Sequence, residues 1–118
     1  MISIVCADSV CEALAIAMLK PDILLCEPTE LIGTGKVADN SYVLEAVEQI
    51  HKVSPEILVM IASGVSTAED VYNVIYLGAD GTGATSGILN APDPGERVME
   101  MASAMVQAVK DRQEGSKT

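Results

Sequence analysis

The fold of this chain is decided by residues 26–36, which read Cys-Glu-Pro-Thr-Glu-Leu-Ile-Gly-Thr-Gly-Lys. The stretch begins where the apolar run Ile23–Cys26 ends, and short apolar runs bounded by turn residues are typical of buried strands. Glu27 stands at the end of that strand, and Pro28 follows it directly. The Gly-Thr-Gly at 33–35 then lets the chain bend. The stretch therefore predicts a strand that delivers one acid to a long loop with a stiff start and a mobile end.

Three segments of the chain have the composition of strands buried in a sheet, and a fourth segment has a weaker strand signal. The third is a continuous apolar run, which parallel sheets bury on both faces. Helical segments separate these strands, and alternation of this kind predicts a parallel sheet with right-handed crossovers. The expected strands are residues 2–7, 22–26, 57–62 and 82–85. From the pattern alone, two α/β folds remain open: part of a barrel, or a small doubly wound sheet with helices on both faces.

The helices are predicted from the residues that cap them. Ser followed three residues later by Glu indicates a capping box, in which each side chain accepts a hydrogen bond from the other residue's backbone N–H. The expected caps are Ser9 with Glu12, one of Asp39, Asn40 and Ser41, Ser66 with Glu69, and Asp93 with Pro94 and Glu96. The last helix is expected to end near Asp111. Residues 1–111 would then form one domain, and residues 112–118 a polar, frayed tail.

The composition is that of an acidic globular protein. Of 118 residues, 49% are hydrophobic, and the formal net charge is −10. That charge disfavours nucleic acids and anionic membrane surfaces as partners, and the lack of Trp and Phe disfavours base stacking. No apolar run approaches the ~20 residues of a membrane span, and the first residues lack the basic flank of a signal peptide. We therefore expect a cytoplasmic protein whose phosphate ligands are held locally, by backbone N–H groups or by a partner's lysine.

The cysteines and the histidine have plain interpretations. Cysteines at 6, 11 and 26 are an odd number without metal-ligand spacing, so reduced thiols and neither metal nor cofactor are expected. Side chains alternate along a strand, so if Glu27 faces a site, Cys26 faces the helices as a buried residue. His51 is expected at the surface near a helix C-terminus, where a positive charge suits the helix dipole.

Three regions resemble triosephosphate isomerase, most closely its archaeal form, and they occur in the order of that family. Glu27 with its loop is similar to the sixth strand and closing lid. Residues 62–66 are similar to the glycine-rich turn after the seventh strand. Thr85–Gly87, after residues 78–81, are similar to the eighth strand and the short helix behind it. The resemblance runs from about residue 2 to residue 105 and implies the fifth to eighth units, that is, half of a TIM (β/α)8 barrel with four parallel strand–helix units.

The resemblance also implies roles for the site residues. Glu27 would take the glutamate's established role in this family, the base that moves protons. The phosphate would rest on backbone N–H groups, because small residues let the backbone approach closely. Those groups would belong to Gly33, to Gly64 or Val65, and to Ser86 or Gly87. The lid hinges would be Pro28 at one end and Thr34, Gly35 and Lys36 at the other.

Some of these positions also allow a plainer interpretation. Gly64 and Gly87 also suit ordinary turns, and Lys36 also suits a surface charge. Ser63 stands where the family usually has Gly or Ala. Gly83 and the Ala after it replace the bulky aliphatic residues typical of the eighth strand.

The resemblance implies that part of the catalytic machinery is missing. In the family, a lysine and an asparagine come from the first strand and a histidine from the fourth, and this chain lacks those units. The isolated chain is therefore expected to be inactive or nearly so. A half barrel would also expose its inner face and two sheet edges, so we expect a homo-oligomer or a separate N-terminal half barrel to complete it around a phosphorylated small molecule. The alternatives are a non-catalytic phosphate-binding or self-assembling barrel remnant, and a fragment of a longer gene product.

Overall fold

The computed structural model describes residues 1–31 and 36–116. Within them, four parallel strands form one sheet: β1 (Ile4–Ala7), β2 (Ile23–Cys26), β3 (Leu58–Ala62) and β4 (Gly81–Gly83). The helices are α1 (Val10–Ala17), α2 (Asn40–Val53), α3 (Ala68–Tyr76), the short α4 (Ser86–Leu89) and α5 (Pro94–Gly115). Each predicted strand is present but one or two residues shorter than expected, and β4 begins one residue earlier, at Gly81.

The order of the strands decides between the two folds that the sequence left open. The sheet runs β1-β2-β3-β4, so each strand pairs in parallel with the next one along the chain. A doubly wound sheet reverses its strand order at a switch point to place helices on both faces, and this sheet has no such reversal. When every crossover is right-handed and each strand is added on the same side of the previous one, all the helices lie on the same face of the sheet. The chain is therefore half of a (β/α)8 barrel, as predicted.

The two faces of the sheet differ in burial. On the helix side, Leu24, Val59 and Ile61 are fully buried. On the inner side, the cross-strand neighbours Leu25 and Met60 are only half-buried. The core thus lies between the sheet and the helices, where each large apolar side chain contributes roughly 1.5–3 kcal/mol. The inner side carries apolar residues without a covering layer.

The open edge of β1 is the least buried part of the sheet. Ile4 is 58% exposed, and Leu58, in the same row of the inner face, is 51% exposed. Such a surface is what remains when the strands that would close a barrel are absent.

The predicted caps of α2 and α5 are confirmed. The Asp39 carboxylate accepts from the Ser41 N–H at 2.8 Å, and the Asp93 carboxylate accepts from the Glu96 N–H at 2.9 Å. Pro94 occupies the first turn of α5. These caps satisfy backbone donors that have no partner inside the helix.

The capping box of α3 is shifted by one residue from its predicted position. Thr67 rather than Ser66 is the N-cap, and Asp70 rather than Glu69 returns the hydrogen bond. The Asp70 carboxylate accepts from the N–H groups of both Ser66 and Thr67 at 2.9 Å. One carboxylate that holds two successive amides satisfies more donors than the predicted pair would, which explains the shift.

The box predicted for α1 is only half formed. Ser9 accepts from the Glu12 N–H at 3.3 Å, as expected. The Glu12 carboxylate instead accepts from the N–H of Asp8 at 2.9 Å, one residue before the cap.

Helix α5 continues to Gly115 rather than ending near Asp111. The Arg112 guanidinium donates to the carbonyls of Ile75 and Ala79, at 2.7 and 3.2 Å, at the end of α3. The Tyr72 hydroxyl also donates to the Asp111 carboxylate at 2.8 Å. These contacts hold the last turns of α5 against α3, which explains why the helix extends into the segment expected to fray. Across residues 1–31 and 36–116, none of the helices is long and apolar enough to cross a membrane.

Candidate functional site

A pocket of about 290 Å³ opens at the carboxyl ends of β2, β3 and β4. Glu27 lines it, together with the turn after β3 and the turn after β4. Of the residues singled out from the sequence, the pocket brings together Glu27, Gly64, Val65 and Ser86. Carboxyl ends of parallel strands are where such folds place their ligands.

Glu27 is held at the end of β2 by its own backbone. Its N–H donates to the Ala7 carbonyl at 3.0 Å, which continues the ladder between β1 and β2 by one residue. The side chain is half-buried, on the same side of the strand as Leu25. One carboxylate therefore enters the pocket beside an apolar wall.

Cys26 points the other way, as the alternation predicted. It is fully buried on the helix side, and burial raises the pKa of its thiol to about 11. A thiol with so high a pKa stays protonated near neutral pH and is a poor nucleophile. Cys26 is therefore a core residue and takes no part in the pocket.

The residues directly after Glu27 are tied to both neighbouring turns. The Thr29 N–H and hydroxyl both donate to the Asp8 carboxylate at 2.8 Å, from the turn after β1. The Pro28 carbonyl accepts from the Ser63 hydroxyl at 2.9 Å, from the turn after β3. The two donors of Thr29 hold the pKa of Asp8 below its usual range. Sequence reasoning did not identify Asp8, and it noted Ser63 only as a departure from the family.

The turn after β3 has a backbone conformation that glycine favours. Ser63 has φ of +88° and Gly64 has φ of +71°. A Cβ atom at Gly64 would overlap the backbone carbonyl of Lys36, where the chain re-enters the described residues. Gly64 is therefore required both by its φ and by the close approach of the loop.

The turn after β4 lies directly against the turn after β3. A Cβ atom at Gly87 would overlap the Cα of Ser66 and lie 2.8 Å from the Val65 carbonyl. Gly87 is thus needed for packing between the two turns rather than for an unusual φ. Two backbone segments that the sequence assigned to phosphate binding are neighbours.

Arg97 brings a positive charge behind these turns. Its guanidinium donates to the carbonyl of Ser66 and lies 3.5 Å from the Glu100 carboxylate. Sequence reasoning missed this residue, because nothing in the first turn of α5 indicates that its side chain reaches the turn after β3.

Small residues in β4 make room for a neighbouring side chain. A Cβ atom at Gly81 would lie 3.0 Å from the Cγ of Met60. The Met60 side chain therefore packs against Gly81 of β4.

His51 lies in the last turn of α2, as predicted, but its side chain is only partly exposed. Its Nε2 lies 3.1 Å from the Ile57 carbonyl and 3.7 Å from the Asp80 carboxylate, and the side chain is 32% exposed. Both partners precede strands, at the amino ends of β3 and β4, whereas Glu27 follows the carboxyl end of β2. The histidine and the glutamate therefore lie at opposite edges of the sheet.

Three of the predicted loop residues, Gly33, Thr34 and Gly35, lie outside the described residues. Gly78 has φ of +123° just after α3, and its N–H donates to the Ile75 carbonyl at 3.1 Å, as in a helix C-cap. Among residues 1–31 and 36–116, no three His, Cys, Asp or Glu side chains are grouped so that they could hold a metal ion.

Comparison with known proteins gives one consistent family. Residues 3–109 match the family profile of triosephosphate isomerase. The chain is 37% identical over 115 residues to the triosephosphate isomerase of Sulfolobus acidocaldarius, and this match covers 95% of the chain and 50% of the relative. It is 41% identical over 101 residues to the enzyme of Sulfurisphaera tokodaii, and this match covers 83% of the chain and 43% of the relative.

Solved structures agree on the fold. A chain in the crystal structure of the Amycolatopsis orientalis BexX/CysO complex superposes with a TM-score of 0.79 at 20% identity, over 97% of this chain and 44% of that one. At this identity the likeness concerns the fold alone. The chain spans about half the length of the curated relatives that it matches.

Proposed function

The chain belongs to the triosephosphate isomerase family, and from this premise we propose that it carries half of an isomerase site, which is catalytic only when another polypeptide completes the barrel. The substrate would be a triose phosphate, in the cytoplasmic reaction of glycolysis. The observation that carries the proposal is the single pocket that holds Glu27 together with the turns after β3 and β4. One base and two neighbouring glycine turns are among the parts that proton transfer on a phosphorylated substrate requires.

In this proposal, Glu27 transfers a proton between two adjacent carbon atoms of the substrate. The carboxylate accepts a proton from the carbon beside the carbonyl and returns it to the adjacent carbon. Leu25 and Met60 line the pocket beside it and would help to keep water away from the carbanion-like intermediate once a partner covers the inner face. The half-buried position of Glu27 is compatible with this work, because the carboxylate remains reachable from the pocket.

The phosphate would be held by the backbone rather than by charged side chains. Gly64 or Val65 and Ser86 or Gly87 would donate N–H groups, and Gly33 would add one from the loop. The close packing of Gly87 on Ser66 supports this proposal, because it sets the two turns side by side. A chain with a net charge of −10 needs such local donors to attract an anion.

An electrophile for the substrate carbonyl must come from elsewhere. The chain has one histidine, His51, which lies at the opposite edge of the sheet. Loss of one oxyanion donor typically costs ~10²–10³ in rate, so a site without lysine and histidine is expected to turn over negligibly. A partner would have to supply both groups.

The inner face and the open edges support completion by a partner. Ile4 and Leu58 are exposed on the inner face, and within residues 1–31 and 36–116 no strand pairs with the outer side of β1 or β4. Unpaired parallel edges are satisfied by further strands. The partner would be a separate N-terminal half barrel or, in a homo-oligomer, a second copy of this chain.

Titration with 2-phosphoglycolate, an anion that resembles the intermediate, tests the half-site. Saturable heat in calorimetry is expected for the wild-type chain and a weaker affinity for Glu27→Gln. Glu30→Gln is the matched control, because Glu30 is an exposed acid near Glu27 that does not line the pocket. Absence of binding by the wild-type chain would contradict the proposal.

Addition of the missing half tests the completed site. A polypeptide with the first four strand–helix units of an archaeal relative is expected to raise isomerase activity in a coupled assay. The Glu27→Gln chain should give no such increase. Turnover by the isolated chain near the rate of its full-length relatives would contradict the claim that a partner is needed.

A second candidate is a phosphate-binding or self-assembling remnant without catalysis. The pocket supports it, because no Lys, Arg or His is among the described residues that line it. Ligand binding with no turnover after addition of the missing half would favour this candidate. A stable homodimer by analytical ultracentrifugation would identify self-assembly as its form.

A further inference from the structure

The segment directly after Glu27 is held from both sides by side chains of the adjacent turns. From the β1 side, the Asp8 carboxylate accepts both the N–H and the hydroxyl of Thr29 at 2.8 Å. From the β3 side, the Ser63 hydroxyl donates to the Pro28 carbonyl at 2.9 Å. We call these two contacts, Asp8 to Thr29 and Ser63 to Pro28, the clamp.

The conformation of Ser63 indicates that its hydrogen bond has a specific role. Ser63 has φ of +88°, a conformation that residues with a side chain rarely adopt, and it is only 4% exposed. Glycine would adopt the same backbone without strain. A buried hydroxyl in this place is accommodated because it finds its partner in the Pro28 carbonyl.

The Asp8 contact is likewise more than an ordinary turn contact. Asp8 and Thr29 follow two neighbouring strands, so their hydrogen bonds join the two strand ends beyond the last ladder pair, Ala7 with Cys26. A charged acceptor with two donors makes stronger hydrogen bonds than neutral groups do. The backbone immediately after Glu27 is therefore fixed to the sheet on its β1 side.

We propose that Asp8 and Ser63 are positioning residues that together fix the backbone at Pro28 and Thr29, and so hold the Glu27 carboxylate in its direction within the pocket. On its amino side, Glu27 is already fixed, because its N–H donates to the Ala7 carbonyl at the end of the β1–β2 pair. The clamp fixes the chain on the carboxyl side of Glu27. The effect of the clamp on catalysis rests on the proposed function. The effect of the clamp on the order of the backbone at Pro28 and Thr29 is independent of that function.

The chain contains a matched control for the clamp. At the amino end of the same strand pair, the Asp22 carboxylate accepts the N–H and the hydroxyl of Ser3 at 2.7 and 2.9 Å. This contact has the same chemistry as that of Asp8 with Thr29, and it joins the same two strands. It lies at the other edge of the sheet from Glu27.

Hydrogen exchange of backbone amides tests the clamp without any ligand. We expect the Leu31 amide, which donates to the Pro28 carbonyl at 3.0 Å, to exchange about tenfold faster in Asp8→Ala and in Ser63→Ala than in the wild-type chain. Asp22→Ala should leave this rate unchanged once the change in global stability, measured by urea unfolding, is subtracted. Equal exchange in Asp22→Ala and Asp8→Ala would overturn the proposal.

Two milder variants keep the test decisive if the alanine variants fold poorly. Ser63→Gly keeps the backbone conformation and removes only the hydroxyl, and Thr29→Val removes one of the two donors to Asp8. Both are expected to accelerate exchange of Leu31 in the same direction. Wild-type rates in both variants would show that the contacts do not fix the segment.

Affinity for 2-phosphoglycolate then measures the consequence at the site. Asp8→Ala and Ser63→Ala should bind about fivefold or more weakly, whereas Asp22→Ala should bind as the wild-type chain does. If the wild-type chain binds no ligand, the proposed function fails, and the exchange data still decide on the clamp. If the wild-type chain binds and the Asp8 and Ser63 variants bind equally well, the positioning role is overturned.

Discussion

The backbone carbonyl of Lys36 occupies the place where a side chain at Gly64 would begin. The loop that leaves the sheet after Glu27 therefore returns onto the turn after β3, and a glycine allows the contact. This relationship joins the end of the loop to the turn assigned to phosphate binding.

Substitution of Gly64 by alanine should be among the more damaging changes near the pocket. The new Cβ would meet the Lys36 carbonyl, and φ of +71° would be strained, so we expect a loss of about 1–3 kcal/mol in the free energy of unfolding. Urea denaturation measures this loss. Gly115→Ala is the control, because nothing lies within 4 Å of a Cβ at that position. Equal stability of the two variants would contradict the described contact.

Gly87→Ala should separate the two turns while leaving the backbone φ unstrained. The added methyl would overlap the Cα of Ser66, so α4 must move away from the turn after β3. We expect weaker binding of 2-phosphoglycolate with a smaller loss of stability than in Gly64→Ala. Calorimetry and urea denaturation on the same preparations test this, and unchanged affinity would remove Gly87 from the phosphate site.

The three cysteines should differ in reactivity. Cys6 and Cys11 are exposed, whereas Cys26 is buried with its pKa raised to about 11. At pH 8, a thiol reagent followed by mass spectrometry is expected to label two cysteines in the folded chain and three in urea. Rapid labelling of Cys26 in the folded chain would show that the helix side of β2 opens.

The pKa of Asp22 is lowered by the N–H and hydroxyl of Ser3, and this gives a prediction for acid stability. The unfolded chain binds the proton more readily than the folded one, so the contribution is present above the unfolded pKa, near 4, and is lost as the pH falls through the lower folded pKa. Urea unfolding at several pH values should therefore show a difference between wild type and Asp22→Ala at pH 6 that shrinks below pH 4. A difference independent of pH would mean that charge is not involved.

Removal of the Arg112 side chain should loosen the end of α5. Arg112→Ala loses the hydrogen bonds to the Ile75 and Ala79 carbonyls, and we expect a loss of about 1–3 kcal/mol. Lys110→Ala, at an exposed position of the same helix, is the control. If a chain shortened to residues 1–111 unfolds at the same urea concentration as the full chain, the described anchoring is wrong.

Local patterns of the sequence predicted much of this fold. Apolar runs predicted β1, β2 and β3, and the alternation around Glu27 placed Cys26 in the core. The caps at Asp39 and Asp93 follow from side chains that reach only two or three residues along the chain. Interactions of such short range can be predicted from sequence, because the number of residues between the two groups fixes how far apart they can lie.

Contacts between distant segments were not predictable in the same way. Asp8 and Thr29 meet only because β1 and β2 pair in one register, and Ser63 meets Pro28 only because β3 lies beside β2. The position of His51 in the last turn of α2 was predictable, but its contact with the Ile57 carbonyl was not.

The shifted cap of α3 shows the limit of motif reading. Ser66 with Glu69 and Thr67 with Asp70 both have the spacing of a capping box. The choice falls to Thr67, because Asp70 reaches the N–H groups of both Ser66 and Thr67. Equivalent motifs one residue apart are separated only by geometry.

The two carboxylates that join β1 to β2, Asp8 and Asp22, have a further consequence for association. Ile4 on β1 is largely exposed, so burial does little to keep this strand on the sheet. Its two ends are instead fastened to the β2 segment, at Ser3 by Asp22 and at Asp8 by Thr29. A strand fastened in this way keeps its shape before anything pairs with it, so docking does not have to order it. The rate of docking would then be set by diffusion and orientation rather than by a folding step at the edge.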